Sequence, residues 1–264
     1  MKTIYHFSGA GNDFVVIDGR EGDVSAFREV PRIEALCQEY KTDGLMILGS
    51  GDAEVDFTME FYNPDGSGGM MCGNGGRCIV AFADYLGIRP SSGGVFLFMA
   101  PDGLHTGEIL ERPADDLWTV RIKMIDVQGI TPMLGGYFLN TGTRHFVKFV
   151  DDVEQVDVDA EGKALRWNEA FAPIGTNVNF VHVAPDGLHV RTFEKGVEGE
   201  TLACGTGLTA CALVAHHAGV PTATPGAYRL RARQDWLSVN FTPGADEKFT
   251  DVYLTGPARL VEIH

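Results

Sequence analysis

The sequence predicts an α+β protein of two pseudo-symmetric halves, each a mixed β-sheet or barrel wrapped around a central helix, with an active site in the cleft between them. Three observations lead there. Gly11-Asn12-Asp13-Phe14-Val15-Val16 resembles Gly142-Thr143-Arg144-His145-Phe146-Val147, at an offset of 131 residues. Cys72-Gly73-Asn74-Gly75 resembles Cys204-Gly205-Thr206-Gly207, at an offset of 132. Each cysteine then leads a helical pattern that stops at a glycine 15 residues on, Gly87 in one case and Gly219 in the other. Gly-rich turns recur in many chains, but two similar offsets and one shared helix length fit a duplicated unit better.

The elements follow in order. Thr3–Phe7 reads as a first strand, and Phe14–Asp18, Val55–Tyr62, Val95–Ala100 and Trp118–Met124 continue with period-2 or continuously apolar runs rich in β-branched and aromatic residues. His145–Val150, Asn179–Val183 and His189–Glu194 repeat the pattern in the second half. Ser25–Tyr40 reads as one helix, with Phe27, Ile33, Leu36 and Cys37 apolar. Asn74–Leu86 and Thr206–Ala218 also read as helices, alanine-rich and apolar on several faces, which predicts central burial. The Gly/Pro-rich stretch Gln128–Gly135 marks the join, giving an N-terminal half over 1–128 and a C-terminal half over 129–250. Asp251–Ile263 alternates again, so 251–264 is expected to return to the N-terminal half as a last strand.

Composition narrows the function classes. The 264 residues suffice for one large domain or two modest ones, and a 44% hydrophobic, 22% charged chain is ordinary for a globular protein. Net charge is -15, and no stretch holds a basic cluster, which argues against nucleic acid or an anionic membrane as partner. No window approaches the ~18 apolar residues of a membrane span, so neither anchor nor signal peptide is expected. The five cysteines, Cys37, Cys72, Cys78, Cys204 and Cys211, are too sparse and odd in number for a disulfide framework, which predicts a reducing cytoplasm. The expected partner is a small amino-acid substrate, and a homodimer is the assembly considered.

The chemistry is expected at the two cysteine loops. Each cysteine stands before glycines and the first turn of a helix, where unpaired N–H donors and a partial positive charge bind a carboxylate and favour a thiolate. Lowering a thiol pKa from ~8.5 to ~7 takes about 2 kcal/mol, near the upper end of what one helix terminus supplies. Two facing thiolates repel, so one charged and one protonated sulfur is the natural state of the pair. Inverting an α-carbon needs a base on one face and an acid on the other, and such a pair supplies both. The developing carbanion places charge on the substrate carboxylate, toward which both helix N-termini point.

At these residues the chain resembles the diaminopimelate epimerases, within a fold family that also includes proline and histidine racemases. The matching motifs are Gly11-Asn12-Asp13-Phe14-Val15-Val16, Tyr62-Asn63-Pro64-Asp65-Gly66-Ser67 and Met71-Cys72-Gly73-Asn74-Gly75-Gly76-Arg77-Cys78, then Asn177, Phe193-Glu194-Lys195-Gly196 and Gly199-Glu200-Thr201-Leu202-Ala203-Cys204-Gly205-Thr206-Gly207. The resemblance implies a cofactor-independent isomerase converting L,L-diaminopimelate to the meso isomer in lysine and peptidoglycan precursor biosynthesis, with Cys72 and Cys204 as the acid/base pair. It implies substrate contacts from Asn12, Asn63, Asn74 and Asn177, from the backbone at Gly73, Gly205 and Thr206, and from Glu194 to an ammonium. It places His145 near the site, where His145 and Glu194 would bias the thiols. Three positions depart from the family pattern: Gly44 for a glutamine, Thr143-Arg144-His145 for Asn-Pro-His, and Lys195 for an arginine that grips a substrate carboxylate. Lysine replaces a planar fork by a point charge, so recognition of the substrate's far end is what these changes touch.

Other readings of the same residues are weaker. Cys78 and Cys211 lie inside helices and are expected to pack, and the x5 and x6 gaps from Cys72 and Cys204 exceed usual zinc spacing, so no metal is expected. His145 fits a satisfied core histidine as well as it fits an active-site role. His216-His217, at a helix end, suit the dipole better than a ligand. A phosphate-binding module would want a P-loop Lys-Ser/Thr or a Gly-x-Gly-x-x-Gly signature, and neither is present. A non-catalytic or redox-sensing protein joining Cys72 to Cys204 in a reversible disulfide is told apart by racemase chemistry without disulfide cycling, and a racemase for another amino acid such as histidine or proline is the nearer alternative.

Overall fold

A computed structural model of the chain describes residues 2–69, 71–91 and 93–264; Met1, Met70 and Ser92, all inside the predicted N-terminal half, lie outside the described residues. The chain folds as two compact units, Met1–Ile122 with Gly256–His264, and Lys123–Thr255.

In the first unit β1 (Ile4–Gly9) turns through Ala10 and Gly11 into antiparallel β2 (Asn12–Asp18). The turn residues have φ of 59° and 92°, the left-handed pair that a two-residue hairpin demands, and the larger value falls on glycine, which has no Cβ to obstruct it. β3 (Gly44–Ser50) adds parallel to β2, β4 (Phe57–Tyr62) antiparallel to β3, and β5 (Val95–Ala100) parallel to β4. β6 (Gly103–Ala114) and β7 (Leu117–Lys123) follow antiparallel. The Gly256–Ile263 part of the final strand pairs with both β7 and β1, which closes the ring and removes its edges.

Two helices serve this ring. α1 (Val30–Tyr40) crosses from β2 to β3 and seats Ile33, Leu36 and Cys37 on Val15, Ile17, Leu45 and Ile47. Fully burying one such aliphatic side chain is worth roughly 1.5–3 kcal/mol. The single helix predicted over Ser25–Tyr40 is corrected here: a 3-10 turn, Ser25–Arg28, is separated from α1 by extended Glu29, with φ -75° and ψ 125°. Pro31 is the cause. It has no N–H to give to the Phe27 carbonyl, and its ring would strike that carbonyl, so it is tolerated only in a first turn. α2 (Gly73–Tyr85) is buried over Gly73–Ala83 and lies against β1, β2, β3 and β6.

The second unit repeats the order. After short β8 (Val127–Gln128) and β9 (Thr131–Met133), β10 (Gly136–Asn140) pairs antiparallel with β11 (Arg144–Phe149), and β12 (Asn177–Ala184) adds parallel to β11. β13 (Gly187–Glu194) is antiparallel to β12 and carries the short β14 (Gly199–Thr201). β15 (Ala227–Arg231) is parallel to β13, β16 (Trp236–Pro243) antiparallel to β15, and β17 (Lys248–Ile263) antiparallel to β16. α3 (Val158–Arg166) is the β11–β12 crossover, as α1 is for β2–β3. α4 (Gly205–His217) precedes β15 as α2 precedes β5, and Leu208–Ala215 is buried throughout. The predicted α+β class is therefore present, and the order and pairing of β1–β7 recur in β10–β13 and β15–β17, with β8, β9 and β14 outside the repeat.

Candidate active site

Cys72 is the N-cap residue of α2, in an extended conformation, and its Sγ accepts the Gly75 N–H at 3.2 Å. A backbone N–H can only donate, so this bond favours sulfur as an anion. Glycine suits this close approach, because a Cβ on residue 75 would stand 3.2 Å from that sulfur and 3.3 Å from Met46 Sδ. The preceding backbone is tied down by the Met71 N–H, which donates to Asp102 Oδ1 at 3.0 Å.

The first turn of α2 is braced by a fully buried cation. Arg77 donates to Gly73 O at 3.2 Å, to Asn74 Oδ1 at 2.9 Å and to Pro257 O at 3.2 Å. With Asn74 Oδ1 held by Arg77, its Nδ2 donates to Asn12 Oδ1, and Asn12 Nδ2 in turn donates to Asp43 Oδ2 at 3.2 Å. Asp43 also accepts the Asp13 N–H at 2.9 Å. The structure thus brings Asn12, Asn74 and the Cys72 loop into one ordered chain with a positive charge behind it. Asn63 sits in a separate turn, with Nδ2 donating to Ser67 Oγ at 2.9 Å. Gly44 packs so tightly that a Cβ would lie 2.8 Å from Tyr62 O, which explains why this backbone carries no side chain at that position.

Cys204 is the N-cap residue of α4 and is 8% exposed. Its sulfur forms no capping hydrogen bond; it lies 3.5 Å from Thr206 Oγ1. His145, wholly buried on β11, places Nε2 at 2.9 Å from Thr206 Oγ1 and 3.0 Å from Thr143 Oγ1. Burial pushes the His145 pKa down to about 3, so the imidazole is neutral at physiological pH. Asn177 is used at both ends: Nδ2 donates to Arg144 O at 2.9 Å and Thr143 Oγ1 at 3.2 Å, and Oδ1 accepts the Lys195 N–H at 2.8 Å. It therefore fixes the backbone that presents Glu194 and Lys195. Glu194 Oε2 accepts from Thr201 Oγ1 at 3.0 Å. The Thr206 carbonyl accepts from Thr141 Oγ1 at 2.9 Å, which holds the first turn of α4.

Burial pushes the Cys78 and Cys211 thiols well up, which keeps both protonated inside their helices. Among the described residues no group of three or more His, Cys, Asp or Glu side chains is arranged to hold a metal ion, and no helix is long and apolar enough to cross a membrane. Sequence reasoning missed Asp43, Asp102, Asn179 and Thr201, which hold the candidate residues rather than resemble them. Two carried a signal: Thr201 stands inside one of the matching motifs, and Asn179 is a second asparagine two residues after Asn177 on an otherwise apolar strand.

The two halves compare closely with known proteins. The profile of the family described as "Diaminopimelate epimerase" matches residues 4–92 and 137–261, which includes both cysteine loops. A diaminopimelate epimerase of Chlorobaculum tepidum is 40% identical over 263 residues, covering 96% of this chain and 97% of the relative. One of Aquifex aeolicus is 39% identical, covering 96% and 93%. Among solved structures, a Bacillus anthracis phenazine biosynthesis protein of the PhzF family matches with a TM-score of 0.77 at 10% identity, covering 100% of this chain and 98% of that one. A hydroxyproline epimerase of Agrobacterium vitis matches at 0.66 and 16% identity, covering 100% and 91%. These two likenesses concern the fold alone. The family profile and the full-length relatives go further: the chain belongs to the diaminopimelate epimerase family.

Proposed function

We propose that this protein is an isomerase interconverting L,L- and meso-diaminopimelate, in lysine and peptidoglycan precursor biosynthesis, with Cys72 and Cys204 as its acid/base pair. The observation that carries this reading is that both cysteines cap the N-terminus of a buried helix, in a chain of this family. One sulfur, as thiolate, takes the α-proton; the other, as thiol, delivers a proton to the opposite face. The products leave the two sulfurs with exchanged roles, so the reverse reaction starts from the form the forward reaction ends in. Charge that builds on the substrate carboxylate is stabilised by unpaired N–H groups at Gly73, Gly205 and Thr206 in the first turns of α2 and α4.

Asn12, Asn63, Asn74 and Asn177 supply amides to this reading, and the adjacent Glu194 and Lys195 offer one carboxylate and one ammonium, a pairing suited to the second amino-acid head of a diamino diacid. A substrate without that head would leave those groups unpaired, which a polar site penalises heavily. Lys195 attracts a carboxylate with less orientation than arginine would, so affinity suffers before specificity does. Five sparse cysteines suit a reducing cytoplasm as the place of action. The test is α-proton exchange in deuterium oxide, followed by NMR, across diaminopimelate, histidine, proline, lysine and glutamate. Exchange confined to diaminopimelate is expected. Exchange with another member and none with diaminopimelate would overturn the substrate and retain the two-thiol chemistry.

A further inference from the structure

We infer that Asn179 is a positioning residue for Cys204: it fixes His145 as the Nε2–H tautomer, and this leaves the Thr206 hydroxyl proton directed at the Cys204 sulfur. The inference deepens the reading above and rests on Cys204 being one of the two acid/base groups. Asn179 is fully buried on β12, and its amide has only one workable orientation. Nδ2 donates to the Phe146 carbonyl at 3.1 Å, and Oδ1 accepts from Thr192 Oγ1 at 2.9 Å. The second Nδ2 proton faces His145 Nδ1 at 3.1 Å, so Nδ1 is an acceptor. A neutral imidazole with an accepting Nδ1 carries its proton on Nε2. The tautomer follows from the network in this way.

The consequence reaches the sulfur through one hydroxyl. His145 Nε2–H faces Thr206 Oγ1 at 2.9 Å and Thr143 Oγ1 at 3.0 Å. Neither hydroxyl can donate into a nitrogen that already bears a proton. Thr206 therefore receives at its oxygen and gives its own proton to Cys204 Sγ, 3.5 Å away. Burial holds His145 neutral, so the imidazole acts by hydrogen-bond polarity and not as a cation paired with a thiolate. The packing shows how closely the parts are fitted. A Cβ on Gly207 would collide with Asn179 Oδ1 and stand 3.4 Å from Cys204 Sγ. The two cysteines thus differ in kind: Cys72 takes a backbone N–H from Gly75, whereas Cys204 takes a side-chain hydroxyl.

Three measurements test this. Nitrogen-15 NMR of the full chain at pH 7 should show His145 with Nε2 protonated and Nδ1 bare. Asn179→Asp, close to isosteric, presents an acceptor to Nδ1, reverses the tautomer and draws the Thr206 proton toward Nε2. Thr206→Val removes the hydroxyl outright, and Thr206→Ser keeps it. Alkylation by iodoacetamide, read at each cysteine by peptide mass spectrometry, should slow about tenfold at Cys204 in Asn179→Asp and Thr206→Val, the equivalent of one charge-assisted hydrogen bond. Cys72 alkylation should be unchanged, kcat should fall by a similar factor with KM within twofold, and Thr206→Ser should restore both. If Asn179→Asp does not fold, the wild-type spectrum and the threonine pair decide. A cationic or Nδ1-protonated His145, or unchanged Cys204 alkylation in Thr206→Val, overturns the inference. Full epimerase activity in Cys204→Ala would instead remove the two-thiol reading while the spectrum and alkylation rates still report on the network.

Discussion

Acid should destabilise this protein through one residue in a way that can be isolated. His145 is wholly buried and has a pKa of about 3, against an ordinary value of 6.5 for the group when the chain unfolds. Between those values the unfolded chain binds a proton that the folded chain refuses, so stability rises with pH across that window. The contribution is intact above the unfolded value and drains as pH falls toward the folded one, at about 1.4 kcal/mol per pH unit. At a pH of about 4.5 the loss reaches roughly 3 kcal/mol. Carboxylates that titrate in the same range contribute to wild type and variant alike, so a difference measurement removes them. His145→Gln keeps an amide able to donate toward the threonines and does not titrate. Urea unfolding of both proteins at pH values from about 7.5 down to about 4.5 gives the assay. The stability gap favouring wild type at neutral pH should narrow by roughly 3 kcal/mol at the acid end. Parallel pH curves for the two proteins would refute burial of a neutral imidazole as its cause.

Three further outcomes are expected. Gly162→Ala on α3 drives a Cβ into the Phe193 side chain, so the midpoint of thermal unfolding should fall by the equivalent of about 1–3 kcal/mol; activity per folded molecule should hold, and a neutral effect on melting would contradict the packing. Thr201→Val removes the hydroxyl that donates to Glu194 Oε2, so KM for diaminopimelate should rise several-fold with kcat within twofold, as steady-state kinetics will show. Cys211→Ala leaves a small void at a fully buried position of α4, so differential scanning calorimetry should register a loss of about 1–2 kcal/mol while turnover persists.

The parts of the fold that could be read in the sequence are those decided locally. Val95–Ala100 was predicted at its observed bounds, and the central helices were placed within a residue at each end, because a cysteine-glycine start and a glycine stop bracket each one. α3 escaped because mid-helix Gly162 and only two other buried residues weaken its pattern, although Asp157 caps it, Asp159 and Glu161 lie in the first turn and Lys163 and Arg166 in the last. Gly162 is there for Phe193, a residue distant in sequence, and no local window reports that. β6 was missed for a related reason. It is largely exposed, contains Pro113 and pairs with β7 through irregular register, so closure of the ring decides its conformation more than its own alternation.

The site divides along the same line. Cys72 and Cys204 stand out because glycines and a helix start are visible in sequence, and the repeat doubles the signal. The residues that hold the candidate groups came from elsewhere in the chain. Asp102 opens a turn and ties Met71, Thr201 lies on a three-residue strand under Glu194, and Asp43 follows a helix to reach Asn12. Each is an ordinary turn or edge residue until the fold brings its partner within hydrogen-bond distance.

The two-thiol account is tested most directly by proton NMR of wild type, Cys72→Ala and Cys204→Ala acting on L,L- and meso-diaminopimelate in deuterium oxide. With wild type, early product should carry solvent deuterium at the inverted α-carbon while recovered substrate carries none, since the delivering sulfur brings a deuteron from solvent and the other face retains its bound proton. Both alanine variants, folded by circular dichroism, should invert neither isomer. Substantial epimerisation by either variant, or early deuterium in recovered substrate equal to that in product, would contradict a pair of thiols working on opposite faces.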